Sequence, residues 1–320
     1  MICLLSPEPP HASAEAKVAV LLCVYNGGRF LLPQLDSLRA QTVGRIDVWA
    51  SDDGSSDGSA SILLSAREHW QKGDFHILEG PHNGFSENFR SLIVNDDIDA
   101  DYVAFCDQDD LWDEDKLEAA VHWLETQPDD RPALYCSRTR LIDEDDRPIG
   151  YSPFFPRPPS FRNALVQSIA GANTMVLNRA AHRLVREASR RTGFVSHDWW
   201  CYLLVTGAGG TVHYSAEPGI GYRQHGTNLV GSNDSSLARL KRYAFLWQGG
   251  FAGWMERNLA GLEACRDLLD DNGRDLLDSF ARVRRAGLLR RLAGLRKLGL
   301  YRQTPGGHIG IFIASALGRL

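Results

Sequence analysis

KVAVLLCVY, residues 17–25, is a near-continuous apolar run of strand length. Such a run suits a parallel strand buried on both faces, since helices cover both sides of a parallel sheet. Working outward, Arg29 to Gln41 sets Phe30, Leu31, Leu35 and Leu38 at helical spacing. A strand over Ile46–Ala50, a polar turn over Ser51–Gly58 and a helix through Ile62, Leu63 and Ala66 follow. Next come a strand at Phe75–Leu78, a helix near Glu87–Ile93 and a strand at Tyr102–Cys106. This alternation predicts an α/β fold with a mostly parallel central sheet flanked by helices. Ligands of such sheets bind beyond the carboxyl ends of the strands. The polar loops here follow strands and are expected to meet at one edge.

Beyond residue 130 the pattern is less regular. Strands are predicted at Leu134–Arg138, Met175–Leu177 and Thr211–Tyr214, helices at Arg179–Arg190 and Asp198–Val205, and a proline-rich bend at Pro153–Pro159. From about Ser235 the chain is helical in tendency, with Trp247, Phe251 and Trp254 on an aromatic stretch. Its 320 residues allow two domains at roughly 150 residues each, or one large α/β unit with an appendage. A hydrophobic fraction of 43% with 23% charged residues excludes disordered, collagen-like and coiled-coil classes. The expected division is a leader at 1–16, the α/β domain at 17–232 and a basic helical region at 233–320.

A net charge of −5 gives no global basic field for nucleic acid. It is unevenly spread: residues 241–320 hold fourteen Lys/Arg and seven Asp/Glu, +7, which leaves −12 for residues 1–240. Cys3, Cys23, Cys106, Cys136, Cys201 and Cys265 form no C-x-x-C pair and read as buried free thiols of a reducing compartment. No stretch reaches about 18 apolar residues, and the leader lacks a signal peptide's basic and apolar regions. The expectation is a cytoplasmic protein.

Four polar clusters could carry chemistry. Asp52 and Asp53, in Ser51-Asp52-Asp53-Gly54-Ser55-Ser56-Asp57, stand where a strand ends. Capping of the next helix by Ser56 or Asp57 explains part of this turn. It leaves two adjacent, mutually repelling carboxylates, which could accept hydrogen bonds from a nucleobase imide or ribose hydroxyls. Between Asn95 and Asp115 lie ten carboxylates and no Lys or Arg. Within this stretch Asp107-Gln108-Asp109-Asp110 directly follows the Tyr102–Cys106 strand. Carboxylates two apart at a strand end can converge on Mg²⁺ or Mn²⁺, although a solvated loop capping a helix from Asp113 is the plainer reading.

In Ser196-His197-Asp198-Trp199-Trp200, Asp198 could serve as a general base at a site rim walled by Trp199 or Trp200, which would raise its pKa. Alternatively Ser196 caps a helix and both tryptophans are core. In Tyr222-Arg223-Gln224-His225-Gly226-Thr227-Asn228, read as a glycine-containing loop, His225 could complete a metal shell and Arg223 could bind phosphate. Farther on, Arg274–Arg302 carries nine Lys/Arg against two acids, interleaved with leucines, as an amphipathic helix on an anionic membrane or a solvated face of ordinary helices would.

Together, VAVLLCVYNGGRFLLPQLDSLRAQT (18–42), SDDGSSDGS, GPHNGFSENF, FCDQDDLWDEDKL, GANTMVLNRAA, SHDWW and YRQHGTNLVG resemble the family 2 glycosyltransferases of the GT-A, Rossmann-like fold over roughly residues 17–232. The D-Q-D-D and Q-H-G-x-N forms are most similar to the rhamnosyltransferase-like branch of bacterial O-antigen and related polysaccharide synthesis. The resemblance implies that Tyr25 stacks on the nucleobase, that Asp53 binds its imide N–H with Asp52 close by, and that Asn83 lies in the nucleotide site. It implies that Asp109 is the metal ligand, that Asp107 or Gln108 faces ribose or the metal's waters, and that His225 is near the metal and diphosphate. Asp198 matches the catalytic base of inverting members, although the usual acidic-Asp pair is His197-Asp198 here. Arg223, Trp199 and Trp200 remain candidates for phosphate or acceptor contacts.

No Gln-x-x-Arg-Trp motif follows, so a single addition is expected rather than processive synthesis. The expected reaction is an inverting, Mn²⁺- or Mg²⁺-dependent transfer of rhamnose or another hexose. The donor would be a dTDP- or UDP-sugar, and the acceptor a saccharide or lipid-linked molecule. Peripheral contact with the inner membrane face is compatible with the basic tail, and self-association stays open. The alternatives are a sugar nucleotidyltransferase, which would want a Gly-rich basic loop stronger than Gly27-Gly28-Arg29, or a non-catalytic nucleotide-sugar-binding scaffold.

Overall fold

A computed structural model describes residues 16–225 and 250–320. Its main sheet has seven strands in the order β10-β6-β9-β4-β1-β2-β3. These are β1 (Lys17–Val24), β2 (Arg45–Asp52), β3 (Phe75–Glu79), β4 (Tyr102–Cys106), β6 (Ala133–Ser137), β9 (Val176–Asn178) and β10 (Thr211–Ser215). All pairings are parallel except those of β9, which runs antiparallel between β4 and β6. The first three strands proceed outward from β1, and β4 then returns to its other side. The strand order therefore reverses between β1 and β4, where an α/β sheet opens a crevice beyond its carboxyl ends.

Residues 18–25 read as a near-continuous apolar run because β1 serves two cores. Ala19, Leu21 and Cys23 pack into one, with α3 (Phe85–Ile93), α6 (Arg179–Arg191), α7 (His197–Gly207) and the C-terminal helices. Val18, Val20, Leu22 and Val24 pack into the other, with α1 (Leu31–Arg39), α2 (Ser59–Glu68) and α4 (Lys116–Glu125). Side chains that alternate between two buried faces leave no polar position from Val18 to Val24.

A second sheet, β5-β11-β7-β8, lies outside this pattern. It consists of β5 (Leu111–Trp112), β7 (Arg140–Ile142), β8 (Pro148–Tyr151) and β11 (Ile220–Arg223). Strands of two to four residues carry too little periodicity to read from sequence. The segment read as a Tyr222–Asn228 loop is thus corrected: Tyr222 and Arg223 end β11, paired with β7, while Gly226, Thr227 and Asn228 lie outside the described residues. The turn α5 (Phe161–Ala164) follows the proline-rich bend. Among the described residues, the C-terminal region carries four helices: α8 (Gly250–Ala264), α9 (Asp271–Arg285), α10 (Leu288–Leu298) and α11 (Pro305–Ala316). Phe251 is buried and Trp254 is 37% exposed. The expected leader, Trp247 and the expected boundary at 232/233 fall outside the described residues. No helix among them is long and apolar enough to cross a membrane. Their five cysteines are buried free thiols.

Candidate active site

The loops after β1, β2 and β4 meet at the crevice and are sewn together by side chains. Gln108, just beyond β4, accepts from the Tyr25 N–H through Oε1 (2.8 Å) and donates from Nε2 to the Tyr25 carbonyl (3.1 Å). This leaves the Tyr25 ring 59% exposed, an open apolar face at the switch point. A Cβ on Gly27 would stand 2.3 Å from Gln108 Oε1, so the clasp needs a glycine there. Asn26 sits in the left-handed region (φ 49°), which asparagine tolerates better than most residues. Its N–H donates to Ser55 Oγ (2.9 Å), and its Oδ1 accepts from Ser56 N–H (2.8 Å).

The acidic turn after β2 divides its work. Asp52 Oδ1 accepts from the Ser55 N–H at 2.9 Å. Asp53 is buried and accepts from the His82 N–H (2.7 Å) and the Gly84 N–H (3.0 Å). Asp53 thereby folds the 82–84 loop, including exposed Asn83, against the end of β2. Asp57 was expected as a helix cap. The α2 N-cap is Gly58, without a side-chain cap, and Asp57 reaches across to the Gly28 N–H at 2.8 Å as well as bonding Ser59.

Beyond β4, desolvation, then the neighbouring charge of Asp109, then that of Asp198, push the Asp107 carboxyl up to about 7. The fold thus brings Asp109 and Asp198 within the field of Asp107, although Asp198 lies 91 residues further along the chain. Asp109 Oδ2 lies 2.7 Å from His225 Nε2, and Phe30 stacks obliquely on the His225 ring with centroids 5.2 Å apart. Asp110 is fully buried, taking 2.6 Å from Asn173 Nδ2 and 3.2 Å from the Arg223 N–H. It is a structural anchor for the acidic loop.

A divalent cation suits this donor set. Two carboxylates and an imidazole are hard-to-borderline ligands, and the repulsion that raises Asp107 is the excess negative charge a dication would relieve. Among the described residues no three acidic, His or Cys side chains close on a single point. Mg²⁺ commonly keeps waters and substrate phosphates in its shell, so one or two carboxylates suffice.

Asp198 stands in the first turn of α7, with Ser168 Oγ donating to its Oδ2 at 3.1 Å. Desolvation raises its carboxyl, and hydrogen bonds from Ser196 and the Trp199 N–H act against that rise. Ser196 occupies the N-cap position without a side-chain cap bond.

Three expectations need correction. Trp199 and Trp200 are core, not rim. Trp199 is 5% exposed and donates Nε1–H to the Ala164 carbonyl (2.6 Å). Trp200 is fully buried and donates to Ser189 Oγ (3.2 Å). The apolar α7 buries both because its faces pack on α5, α6 and the C-terminal helices. Arg223 is also buried, 1% exposed, and its guanidinium is engaged within the chain. It donates to the Asp109 carbonyl (2.8 Å) and the Asp143 carbonyl (3.1 Å), and pairs with Asp146 at 2.5 Å. It stacks 4.5 Å over Phe30. Arg223 therefore positions Asp109 and braces the second sheet instead of facing a phosphate.

Sequence reasoning passed over Asn26, Ser168 and Asn173, and weighed Gly27 only within a weak Gly27-Gly28-Arg29 phosphate loop. Asn-Gly-Gly at the end of a strand is a turn signal that could have found Asn26 and Gly27. Ser168 and Asn173 carry no local signal. A cavity of about 600 Å³ between α5, α7 and α9 is lined by Ser160, Thr206 and Asp270 among others, and none of the candidate site residues lines it.

A carboxylate-lined crevice at the switch point of a mostly parallel sheet, with an exposed aromatic face beside it, marks a GT-A glycosyltransferase fold. The Glycosyl transferase family 2 model matches residues 19–184, and the chain belongs to that family. It is therefore a glycosyltransferase, as the motifs implied. It is 26% identical over 235 residues to the dTDP-rhamnosyl transferase RfbG of Shigella flexneri, covering 69% of this chain and 77% of that protein. It is 31% identical over 135 residues to the amylovoran biosynthesis glycosyltransferase AmsB of Erwinia amylovora, covering 41% of this chain and 44% of AmsB. Among solved structures, residues 1–349 of S. aureus TarS in complex with UDP-GlcNAc share the fold with a TM-score of 0.52 at 14% identity, over 89% of this chain and 93% of that one.

Proposed function

We propose that this protein is an inverting, divalent-metal-dependent glycosyltransferase of bacterial polysaccharide synthesis. It would move one hexose, rhamnose by preference, from a dTDP- or UDP-sugar to a saccharide or lipid-linked acceptor. The observation that carries this reading is the pairing of Asp109 with His225 at 2.7 Å in the loop after β4, at the switch-point crevice where Gln108 of the same loop holds the exposed Tyr25. The rhamnose preference rests on the likeness to RfbG.

In this reading the nucleobase stacks on Tyr25, which the Gln108 clasp holds in place. Asp53 offers its remaining lone pairs to the base imide, with Asp52 and Asn83 at the same mouth. Asp107 faces the ribose, because both ends of the Gln108 amide are taken by the Tyr25 main chain. Asp109, with His225 beside it, would hold the cation, which when bound neutralises the departing diphosphate. Asp198 takes the acceptor hydroxyl's proton as that oxygen attacks the anomeric carbon opposite the leaving group. Ser168, donating to Asp198 Oδ2, fixes the base in the orientation the attack needs.

The test is thermal unfolding against UDP, dTDP, GDP, CDP and ADP, each with Mn²⁺, Mg²⁺ or EDTA, then NMR of the product anomer with the donor selected. A ligand that binds only the native state raises the melting temperature. A shift with dTDP or UDP that EDTA abolishes, and an inverted anomer, are expected. Retention of configuration, or a shift indifferent to EDTA, would overturn the mechanism.

A further inference from the structure

Downstream of Asp278 the chain carries nine Lys/Arg and no acid through Leu320. Arg284 pairs with Glu256, whereas Arg285, Arg290, Arg296 and Lys297 are exposed. Large aliphatic side chains are exposed on the same helices: Leu288 (48%) and Leu289 (82%) on α10, Ile309 (59%) and Ile313 (56%) on α11, and Leu317 (49%) at the C-cap of α11. Ile309, Ile313 and Leu317 recur every four residues and so line one face of α11, while Ile311 and Ser315, two positions on, are buried. The two helices pack together. A Cβ on Gly318 would lie 3.9 Å from Arg291 Nη1, which sets the Leu317 end of the stripe beside the start of α10.

We propose that α10 and α11 form a docking surface for an anionic lipid bilayer. Exposed aliphatic side chains enter the interfacial zone while flanking cations meet acidic headgroups, and the two contributions together hold a peripheral protein. A second copy of this chain fits the surface less well, because it would bring two acid-free basic faces together.

The chain between the two helices ties this surface to the site. The Gln303 N–H donates to Gln167 Oε1 (2.8 Å), and the Tyr301 carbonyl accepts from Asn163 Nδ2 (2.9 Å). The residue after Gln167 is Ser168, the partner of Asp198. The bilayer surface is thus fixed to the segment that orients the proposed base, a placement that suits an acceptor carried on a lipid. That last consequence rests on the glycosyltransfer reading above.

The experiment is flotation of the full chain with vesicles of phosphatidylcholine alone and of phosphatidylcholine with phosphatidylglycerol, at low and high salt. Two variants accompany it: Leu289→Ser/Ile313→Ser and Arg290→Gln/Arg296→Gln/Lys297→Gln. All five positions are exposed, so both variants should fold. The wild type is expected to float with anionic vesicles only and to be released by salt. Each variant should lose about tenfold or more in vesicle affinity with its nucleotide-induced melting shift intact. Equal capture of wild type and variants, or equal capture by neutral vesicles, would overturn the proposal. So would variants that change only the oligomeric state by light scattering, which would make a second copy the occupant. A wild type that floats but shows no nucleotide shift would sink the donor-site reading and leave this one standing.

Discussion

Gln108 holds Tyr25 by both halves of its main chain, accepting from its N–H at 2.8 Å and donating to its carbonyl at 3.1 Å. The clasp crosses from β4 to β1 at the point where the sheet order reverses. It therefore couples the acidic loop to the aromatic face. Replacing Gln108 by Ala removes two hydrogen bonds worth roughly 1 kcal/mol each. We expect the donor KM to rise about tenfold with kcat little changed. Gly27→Ala, whose methyl would stand 2.3 Å from Gln108 Oε1, should give the same signature. A fall in kcat at constant KM would rule out the clasp as a donor-site device.

Asp198→Asn should separate stability from activity. A general base contributes about 10²–10⁴-fold, and kcat should fall within that range. Burial raises the Asp198 carboxyl, so the folded state holds its proton to higher pH than the unfolded chain. Stability from this group is fully present at acid pH and is lost as pH rises through the raised value. At neutral pH the neutral asparagine lacks that penalty. The variant should melt no lower than wild type by calorimetry at pH 7.5.

Two buried histidines predict acid sensitivity. Desolvation lowers both His182 and His197 to about 3, with Arg186 adding to the shift at His182. His197 is buried, stacks on Phe89 at 3.8 Å, and has no hydrogen-bond partner for either ring nitrogen. In the unfolded chain each takes a proton near pH 6.5. The unfolded state thus binds more protons below that pH, and stability falls as pH drops from about 6.5 toward 3. The slope is at most about 1.4 kcal/mol per pH unit for each ring. Urea midpoints from pH 7 to 5 should show the fall, and His197→Phe should flatten it.

Arg223→Lys tests whether the guanidinium braces the acidic loop. A lysine cannot reproduce the fork that reaches the Asp109 and Asp143 carbonyls and Asp146 together. Breaking a buried network of this kind costs about 3–5 kcal/mol. A large drop in melting temperature with a raised donor KM is expected. A stable variant with only a raised KM would return Arg223 to direct phosphate binding.

Trp200→Phe discriminates core from acceptor site. Loss of the Nε1–H to Ser189 and of part of the ring should destabilise by about 1–3 kcal/mol. Activity per folded molecule should be unchanged. An acceptor-specific KM effect in the folded variant would contradict the burial argument.

Much of the frame was legible in the chain. β1, β2 and β3 with the helices after them, and β4, were visible because period and continuous burial are local signals, and the polar loops fell after the strands as expected. Asp107, Asp109, Asp198 and His225 stood out as titratable side chains in the short polar motifs that follow strands or open a helix. The rim assignment of Trp199 and Trp200 failed because an N-terminal helical turn presents residues to opposite sides. Adjacent residues on one turn can therefore face a crevice and a core. Arg223 was misread because the strand that carries it is four residues long, and its partners, Asp109, Asp143 and Asp146, lie 77 to 114 residues upstream.

The sequence by itself determined the longer strands and helices around the main sheet, the acidic character of the loops after β2 and β4, and the basic, acid-free chain after Asp278. These follow from composition and periodicity, which each segment carries alone. Only the tertiary structure decided that Gln108 grips Tyr25, that Asp198 shares a field with Asp107, and that Arg223 turns inward. Each is a pairing across strands or helices distant in sequence, and the sheet order and the burial that it imposes choose among partners the chain leaves open.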